Sequence, residues 1–437
     1  MAFVFSVAAA SVATPTAATG AATTAAHATT ATRSATAAAE PDPVLNKAVF
    51  NRPTGSTAER NAVLIQLARI IDRVPAGGEL QMSWYHFTVS DVTDTPTTPD
   101  LPGRLIAAHQ RGVRVKIIVD QSSATARPFQ RLQPVLGSND TAGSYIVHCA
   151  DQFPSQKRGC IGTRTINYTT SSVTAYNHNK FLIASSLVLN DGSTVSNVVF
   201  QSSSNLTWWD TTEAYNNAVT FSDATTYQAY RTYFADLRSH RYSSSGNNNY
   251  YWLTATGSTY RAHFFPRRER SGQSIHDPAT DTVVTILNTV TSCYYNDAGV
   301  RRQTDIRVNM YSFTRPEVAK RLAALRSAGC WVDVVYSEIN DAVRNALGNN
   351  IQLTRCNYNV GPGLDVRTHN KYMLIDGAYD DDIIPRVFTG SHNFAISALR
   401  QADETLLRIM GRDMHDDYLR DFWHVRDTCR ANGGAIR

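Results

Sequence analysis

Long apolar runs are missing from this chain. Beyond residue 39 nothing approaches the roughly 18–20 apolar residues that a membrane-crossing helix needs, so the mature protein is expected to be soluble. Cysteine is sparse, six in 437 residues. No pair has C-x2-C spacing, which excludes the common structural zinc modules. Dense basic runs are absent too; the nearest is Arg267-Arg268-Glu269-Arg270, which a solvated turn explains. With 42 Lys and Arg against 37 Asp and Glu, the net charge is +5. That weak excess is compatible with anionic headgroups or nucleic acid and argues for neither. The first 39 residues hold no acid and one base, Arg33, amid Ala, Thr, Ser and Val. Met1 to Ala10 is apolar and small residues fill positions 35–39, just before Glu40. This segment reads as a secretory leader followed by a low-complexity stretch.

The cysteines form an even set, and a leader implies an oxidising compartment, so three disulfides are expected. Cys149 and Cys160 close a short loop. Cys293 and Cys330 fall in one predicted layer of helix and strand. Cys356 with Cys429 follows by elimination.

The rest of the chain repeats itself. The segment from Lys47 to Pro53 parallels that from Arg261 to Arg267, and an amphipathic helix follows each (Ala62 to Ile71; Thr282 to Val290). Strands containing Trp84-Tyr85 and Met310-Tyr311 come next. Then come helices ending at Gly112 and Gly329 and β-branched strands starting at Val113 and Trp331. Strand, helix, strand in this order implies parallel pairing with right-handed crossovers. The predicted organisation is a leader over 1–39, a first module over 40–238, a Ser/Asn/Gly/Tyr-rich linker over 239–259 and a second module over 260–437.

Each module carries one constellation. The first has His178-Asn179-Lys180 before an apolar strand and then Ser202-Ser203-Ser204-Asn205. The second has His369-Asn370-Lys371, a strand ending in Asp376, and Gly390-Ser391-His392-Asn393. On a strand, residues i and i+2 share a face, so each His and Lys reach one pocket. Two imidazoles and two ammonium groups suit exchange at a phosphate diester. A neutral imidazole can attack phosphorus. A protonated one can protonate the leaving oxygen. Lysine, Asn and Ser donors can hold the non-bridging oxygens, so neither metal nor cofactor is required.

H-x-K-x4-D followed by G-S-x-N, present twice, resembles the signature of the phospholipase D superfamily. The second copy matches at His369, Lys371, Asp376, Gly390, Ser391 and Asn393. The first has Ser185 in place of Asp and Ser202 in place of Gly. The resemblance implies an α/β fold of two similar modules, each a mixed sheet with flanking helices, packed about a pseudo-two-fold axis with the site between them. It implies catalytic roles for His178, Lys180, Asn205, His369, Lys371, Asn393 and Asp376, with His178 the nucleophile. Ser203, Ser391 and Ser185 are expected to contact substrate. Glu404, eleven residues past Asn393, resembles the carboxylate that holds a catalytic His and is assigned to His369, the general acid. Asn216 or Asn217 is assigned to His178, with Glu213 a competing partner. Trp208, Trp209 and Tyr215 fit a substrate mouth or a core equally well, Tyr250, Tyr251 and Trp252 a lipid contact or burial, and His86 and His392 local structure.

The function expected is a secreted, metal-independent, monomeric phosphodiesterase. It would cleave glycerophospholipids at a membrane or micelle surface, by hydrolysis or transfer to an alcohol. A secreted nuclease shares every catalytic residue and stands as the alternative. A non-catalytic phosphate- or lipid-binding module is the third reading, suggested by Ser185 and Ser202.

Overall fold

Both halves fold to one plan, strand for strand. The computed structural model describes residues 40–90, 93–168, 172–255, 259–361 and 363–434. The expected leader, residues 1–39, lies outside the described residues. The first half supplies β1 (Lys47–Phe50), β2 (Glu79–Trp84), β3 (Arg114–Val119), β4 (Tyr145–His148), β5 (Lys180–Val188), β6 (Thr194–Ser202) and β7 (Asn217–Ser222). The second supplies β8 (Tyr260–Phe264), β9 (Asp305–Phe313), β10 (Trp331–Ile339), β11 (Gln352–Arg355), β12 (Lys371–Asp376), β13 (Arg386–Gly390) and β14 (Thr405–Met410). The sheet orders are β1-β7-β6-β5-β2-β3-β4 and β8-β14-β13-β12-β9-β10-β11, so each strand of the first sheet has its counterpart seven numbers later. Trp252–Leu253, inside the expected linker, adds an antiparallel edge strand to β8.

Both sheets are mixed. β2, β3 and β4 run parallel, as do β9, β10 and β11, because helices return the chain between them. The first half has α1 (Ala62–Arg73) ahead of β2, α2 (Leu101–Gln110) and α3 (Arg127–Leu136) as these crossovers, and α4 (Trp208–Thr212) and α5 (Ala224–His240) closing it. Their counterparts are α6 (Thr282–Asn288), α7 (Pro316–Ser327), α8 (Asp341–Leu347), α9 (Ile396–Arg400) and α10 (Arg412–Ala431). Gly112 (φ 91°) and Gly329 (φ 102°) end α2 and α7 in the left-handed region, the turn that lets the chain re-enter the sheet.

The two sheets face each other across α5 and α10. Inward residues Phe181 and Ile183 of β5 and Tyr372 and Leu374 of β12 join Tyr230 and Phe234 of α5 and Tyr418 and Phe422 of α10 in one shared core. The alternate residues, Leu182 and Ala184 or Met373 and Ile375, face outward into separate cores under α1–α2 and α6–α7. Burial on both faces explains why these motif strands read as unbroken apolar runs. All three expected disulfides are present: Cys149–Cys160, Cys293–Cys330 and Cys356–Cys429. Among the described residues no helix is long and apolar enough to cross a membrane.

Candidate active site

The H-x-K segments meet where β5 and β12 begin, and each is tied to the other half before its strand starts. The His178 N–H donates to the Asp403 carbonyl, and the His369 N–H to the Tyr215 carbonyl, both at 2.9 Å. Alternation does the rest. Lys180 and Lys371 turn back and donate to the carbonyls of His178 and His369, each at 2.8 Å. The intervening Asn residues point the other way, into the seam between halves. Asn179 accepts from Thr405 Oγ1 at 2.9 Å and Asn370 accepts from Asn217 Nδ2 at 2.7 Å. All four basic side chains are buried.

The orienting carboxylates cross between halves, which corrects the expected pairing. Glu404 stands beside His178, not His369, with Oε1 2.7 Å from Nδ1. Asn216 stands beside His369, not His178: its Oδ1 accepts from Nδ1 at 3.0 Å. His369 also has a carboxylate that sequence reasoning missed, Asp210, with Oδ1 3.0 Å from the same Nδ1. Glu213 partners neither imidazole; its Oε2 accepts from the Asp365 N–H. By position in the repeat Asn216 is the counterpart of Glu404. The first half has thus moved its carboxylate six residues upstream, to the first turn of α4. The clue was Thr207-x-x-Asp210 ahead of a short helix, an N-cap pattern: Thr207 Oγ1 donates to Asp210 Oδ2 at 2.6 Å and accepts the Asp210 N–H at 3.2 Å.

Three serines and one aspartate have other duties than those expected. Ser391 is fully buried, donates to Glu404 Oε2 at 2.5 Å and accepts the Thr405 N–H at 3.0 Å. Ser203 does the same on its side, donating to Asn216 Oδ1 at 2.9 Å and accepting the Asn217 N–H at 3.0 Å. Both brace the partner of an imidazole. Asp376 closes β12, five residues past Lys371, about 16 Å along a strand at ~3.3 Å per residue. There it forms a two-bond pair with Arg412 at the start of α10. Ser185 is equally far along β5 and accepts the Glu79 N–H at 3.0 Å. These two positions anchor strand ends; the reacting groups lie at the opposite ends.

The asparagines are in place. Asn205 and Asn393 are buried within the motif loops; Asn205 Oδ1 has no hydrogen-bond partner, and Asn393 Oδ1 accepts the Ser312 N–H at 3.4 Å. A pair of tyrosines, also missed, flanks the imidazoles. The Tyr85 ring lies 5.0 Å from His178 and the Tyr311 ring 4.7 Å from His369. Lys180 and Lys371 Nζ sit 5.2 and 5.4 Å from the same rings. The two tyrosines share one register, Trp84 pairing with Lys180 and Met310 with Lys371 just before them. Trp209 packs edge-on to His369 at 5.4 Å, while Trp208 is 71% exposed at the rim. Tyr215 is buried core, its hydroxyl 2.9 Å from that of Tyr358. Tyr250 and Trp252 pack against the shared core and Tyr251 against the outer core of the second half, so burial describes them. His86 lies beside Ser122, and His392 is buried against Phe265.

The electrostatics separate the two imidazoles. Burial and the neighbouring lysines push His178 well below its usual range, while burial pushes Glu404 well above its own. Both shifts disfavour the charged form of the pair, imidazolium with carboxylate. Asp210 behaves oppositely: despite burial, His369 and Thr207 hold its carboxyl below the ordinary range. His369 itself is lowered to about 4, by burial first and Lys371 second, with Asp210 opposing. Lys180 is lowered to about 7 by burial, and burial and Lys180 lower Lys371 strongly. Lys180 depresses the other three basic groups here, an arrangement that an anionic phosphate relieves.

The comparisons with known proteins bear on this geometry. A family model described as cardiolipin synthase, PLD-like domain, matches residues 75–238 and 301–426. No curated protein matches the sequence. Among solved structures, polyphosphate kinase from Porphyromonas gingivalis aligns at 14% identity with a TM-score of 0.51, over 87% of this chain and 47% of that one. The chain thus spans about half of that kinase, and the likeness is one of fold. Phosphatidylserine synthase from Haemophilus influenzae aligns at 11% identity, TM-score 0.48, over 91% and 89% of the two chains. The phospholipase D family member Nuc from Salmonella typhimurium aligns at 24% identity, TM-score 0.26, over 37% and 93%. One family model covers both halves, and both halves build one buried His-Lys centre, so the chain belongs to the phospholipase D-like domain family.

Proposed function

We propose that this chain exchanges one ester bond of a phosphate diester through a phosphohistidine on His178, with glycerophospholipid as substrate. The crossed pairing carries this reading: each imidazole has its Nδ1 held by a carboxylate from the other half or by its equivalent. His178 Nε2 attacks phosphorus and the ester oxygen departs, taking a proton from Nε2 of His369. The ionised Asp210 favours that acid by stabilising an imidazolium, whereas burial and the lysines keep His178 neutral, and donation of its Nδ1–H to Glu404 Oε1 frees Nε2 to attack. The assignment of roles matches the sequence expectation, but for a different physical reason. In the second half His369 takes a proton from water or an alcohol, the oxygen attacks phosphorus, and His178 leaves. Lys180 and Lys371 hold the non-bridging oxygens and the Asn205 and Asn393 amides add donors, so the step needs no metal ion.

Lipid is favoured by the rim. Trp208 is 71% exposed, and Val360 and Leu364 are exposed on the hairpin Asn357–Asn359/Asp365–Thr368, next to the Trp209 indole that donates to the Asp365 carbonyl. Exposed apolar residues around a phosphodiester site suit insertion into a bilayer surface. The nuclease reading draws on Arg355 and Arg367, which line a polar depression with Glu338. Arg367 is occupied by Asp365 and Glu338, which weakens it as a phosphate contact. The non-catalytic reading rested on Ser185 and Ser202. Ser185 holds a strand end and Ser202 donates to the Asn217 carbonyl at 2.8 Å, so neither substitution touches a reacting group. Three disulfides support an oxidising, extracellular setting.

The test offers the protein phosphatidylcholine vesicles, plasmid DNA and bis-(p-nitrophenyl) phosphate, with and without excess EDTA. Turnover of vesicles and of the small diester, unaffected by EDTA, is expected, and Trp208→Ala should slow the vesicle reaction alone. Turnover of DNA but not vesicles would replace lipid by nucleic acid as substrate. Loss in EDTA that zinc or magnesium restores would overturn the mechanism.

A further inference from the structure

A second concentration of positive charge lies on the outer face of the second sheet. There a cavity of about 340 Å³ is lined by Arg261, Arg267, Arg386 and Arg408 with Tyr251 and Tyr379. It opens into a depression of about 580 Å³ that shares Arg261, Arg386 and Arg408. Strand alternation explains the grouping. Ala262 on β8, Val387 on β13 and Leu407 and Ile409 on β14 face the shared core, so Arg261, Arg386 and Arg408 face the other side. The cavity is remote from the reaction centre: Arg386 opens β13 and Gly390 closes it, a run of about 13 Å at ~3.3 Å per residue.

The guanidinium groups are held in fixed positions. Arg267 lies 4.3 Å over the Tyr251 ring and donates to Thr282 Oγ1 at 3.3 Å. Arg386 lies 4.2 Å over Tyr379 and donates to the Ile384 carbonyl and to Asp382 Oδ2, both at 2.6 Å. Asp380 lines the cavity, and Asp380, Asp381 and Asp382 line the depression beside the arginines. Asp382 is taken by Arg386, and Asp380 and Asp381 are exposed on the rim loop. Neither Arg261 nor Arg267 forms an ion pair among the described residues. Arg386 is 2% exposed, yet its Nε has no hydrogen-bond partner, and the buried Nε of Arg261 has none either. Burial and the charges of Arg261 and Arg386 also disfavour the charge on Arg408. Buried donors with fixed geometry and unspent hydrogen bonds are costly in a purely structural role.

We propose that this cavity binds the phosphate group of a small organic phosphate, at a site separate from the reaction centre. Guanidinium forks match phosphate oxygens in pairs. The rings of Tyr251 and Tyr379, with Ile286 and Phe388 in the cavity wall, offer the organic part an apolar lining. A soluble phosphate ester and a lipid headgroup present the same chemistry here.

The test titrates the full chain with glycerol 3-phosphate by calorimetry, and in parallel measures sedimentation with phosphatidylcholine vesicles with and without phosphatidic acid. The same is done with Arg261→Gln/Arg267→Gln and with the cavity-filling Thr285→Phe, after thermal melting verifies the fold. Binding at the reaction centre is common to all three proteins. The expected result is an additional site in the unmodified chain that weakens at least about tenfold in both variants, as loss of charge-assisted bonds implies, with turnover of bis-(p-nitrophenyl) phosphate retained. Dependence on these residues for glycerol 3-phosphate identifies a soluble ligand; dependence for phosphatidic acid vesicles alone identifies a headgroup. Identical binding by all three proteins in both formats overturns the proposal.

Discussion

Replacing Asp210 by Asn removes one negative charge and changes almost no volume. In the structure Asp210 Oδ1 meets His369 Nδ1 at 3.0 Å and accepts the Asn205 N–H at 3.2 Å, and Oδ2 accepts from Thr207 Oγ1 at 2.6 Å. With its oxygen at the Oδ1 position an amide keeps the Asn205 N–H bond and its nitrogen donates to Thr207 Oγ1, which still accepts the backbone N–H of residue 210, so the helix cap should survive. The ion pair that favours protonated His369 is lost. A charge-assisted bond contributes about 1.5–3 kcal/mol against about 1 for a neutral one. The deficit of roughly 1–2 kcal/mol appears in the step where His369 carries a proton, a fall of about 5–30-fold at 1.36 kcal/mol per decade. The fall should depend on the leaving group. A diester that expels an ordinary alkoxide needs the acid; one that expels p-nitrophenolate hardly does. The assay is kcat/KM for both diesters, measured from pH 4 to pH 8 in wild type and Asp210→Asn. His369 is already lowered to about 4, and losing the carboxylate should move its limb to still lower pH. Equal losses on both diesters, or none on the alkoxide, would refute the reasoning that Asp210 acts through the acid.

Other outcomes follow from the same geometry. After quenching with substrate, intact mass should reveal an adduct on His178 that is absent from His178→Ala; an adduct mapped to His369 would reverse the roles. Asp376→Ala should lower stability by no more than about 1 kcal/mol, since its partner Arg412 is about half exposed and solvent screens the pair, and kcat should not move; a large fall in kcat with intact folding would return Asp376 to the site. Stability should fall as pH drops. The folded His369 has its pKa near 4, below the unfolded value of about 6.5, so the unfolded chain binds more protons in that window. Between pH 7 and pH 5 this amounts to about 2 kcal/mol, read by urea unfolding. That figure is the contribution of His369 alone, so His369→Asn should make the dependence shallower; an unchanged slope in that variant would place the titration elsewhere.

Some of this was legible in the chain and some was not, and the boundary is physical. Alternation and burial are local properties. Phe181-Leu182-Ile183 and Tyr372-Met373-Leu374 could be read as strands buried on both faces because no polar residue interrupts them. Gly112 and Gly329 marked helix ends because few other residues accept φ near +90°. His178 and Lys180 could be placed together because two residues along a strand return to one face. The duplication itself gave the paired arrangement of the sheets. What the sequence could not convey is which half supplies the partner of each imidazole. Glu404 is 226 residues from His178 and only 35 from His369, and proximity along the chain favoured the wrong choice. The outcome depends on the residues just ahead of β7 and β14, Asn216 and Glu404, each reaching across the seam, a consequence of how two sheets dock.

The strand-end positions failed for a related reason. H-x-K-x4-D is a continuous string, and contiguity suggests a common purpose. A strand, though, separates residues 371 and 376 by most of its length, so one string serves two tasks: chemistry at one end and anchoring of α10 through Arg412 at the other. Ser185 can replace Asp in the first half because its task there is a single bond from the Glu79 N–H, which a hydroxyl accepts as well as a carboxylate does. The departure at Ser185 is therefore tolerated where it occurs, whereas the first half's departure at Asn216 is not tolerated alone. An amide there cannot supply the charge that an imidazolium needs, and Asp210 restores it from the next helix. Compensation at one position and none at the other separates the residues that meet substrate chemistry from those that hold the frame.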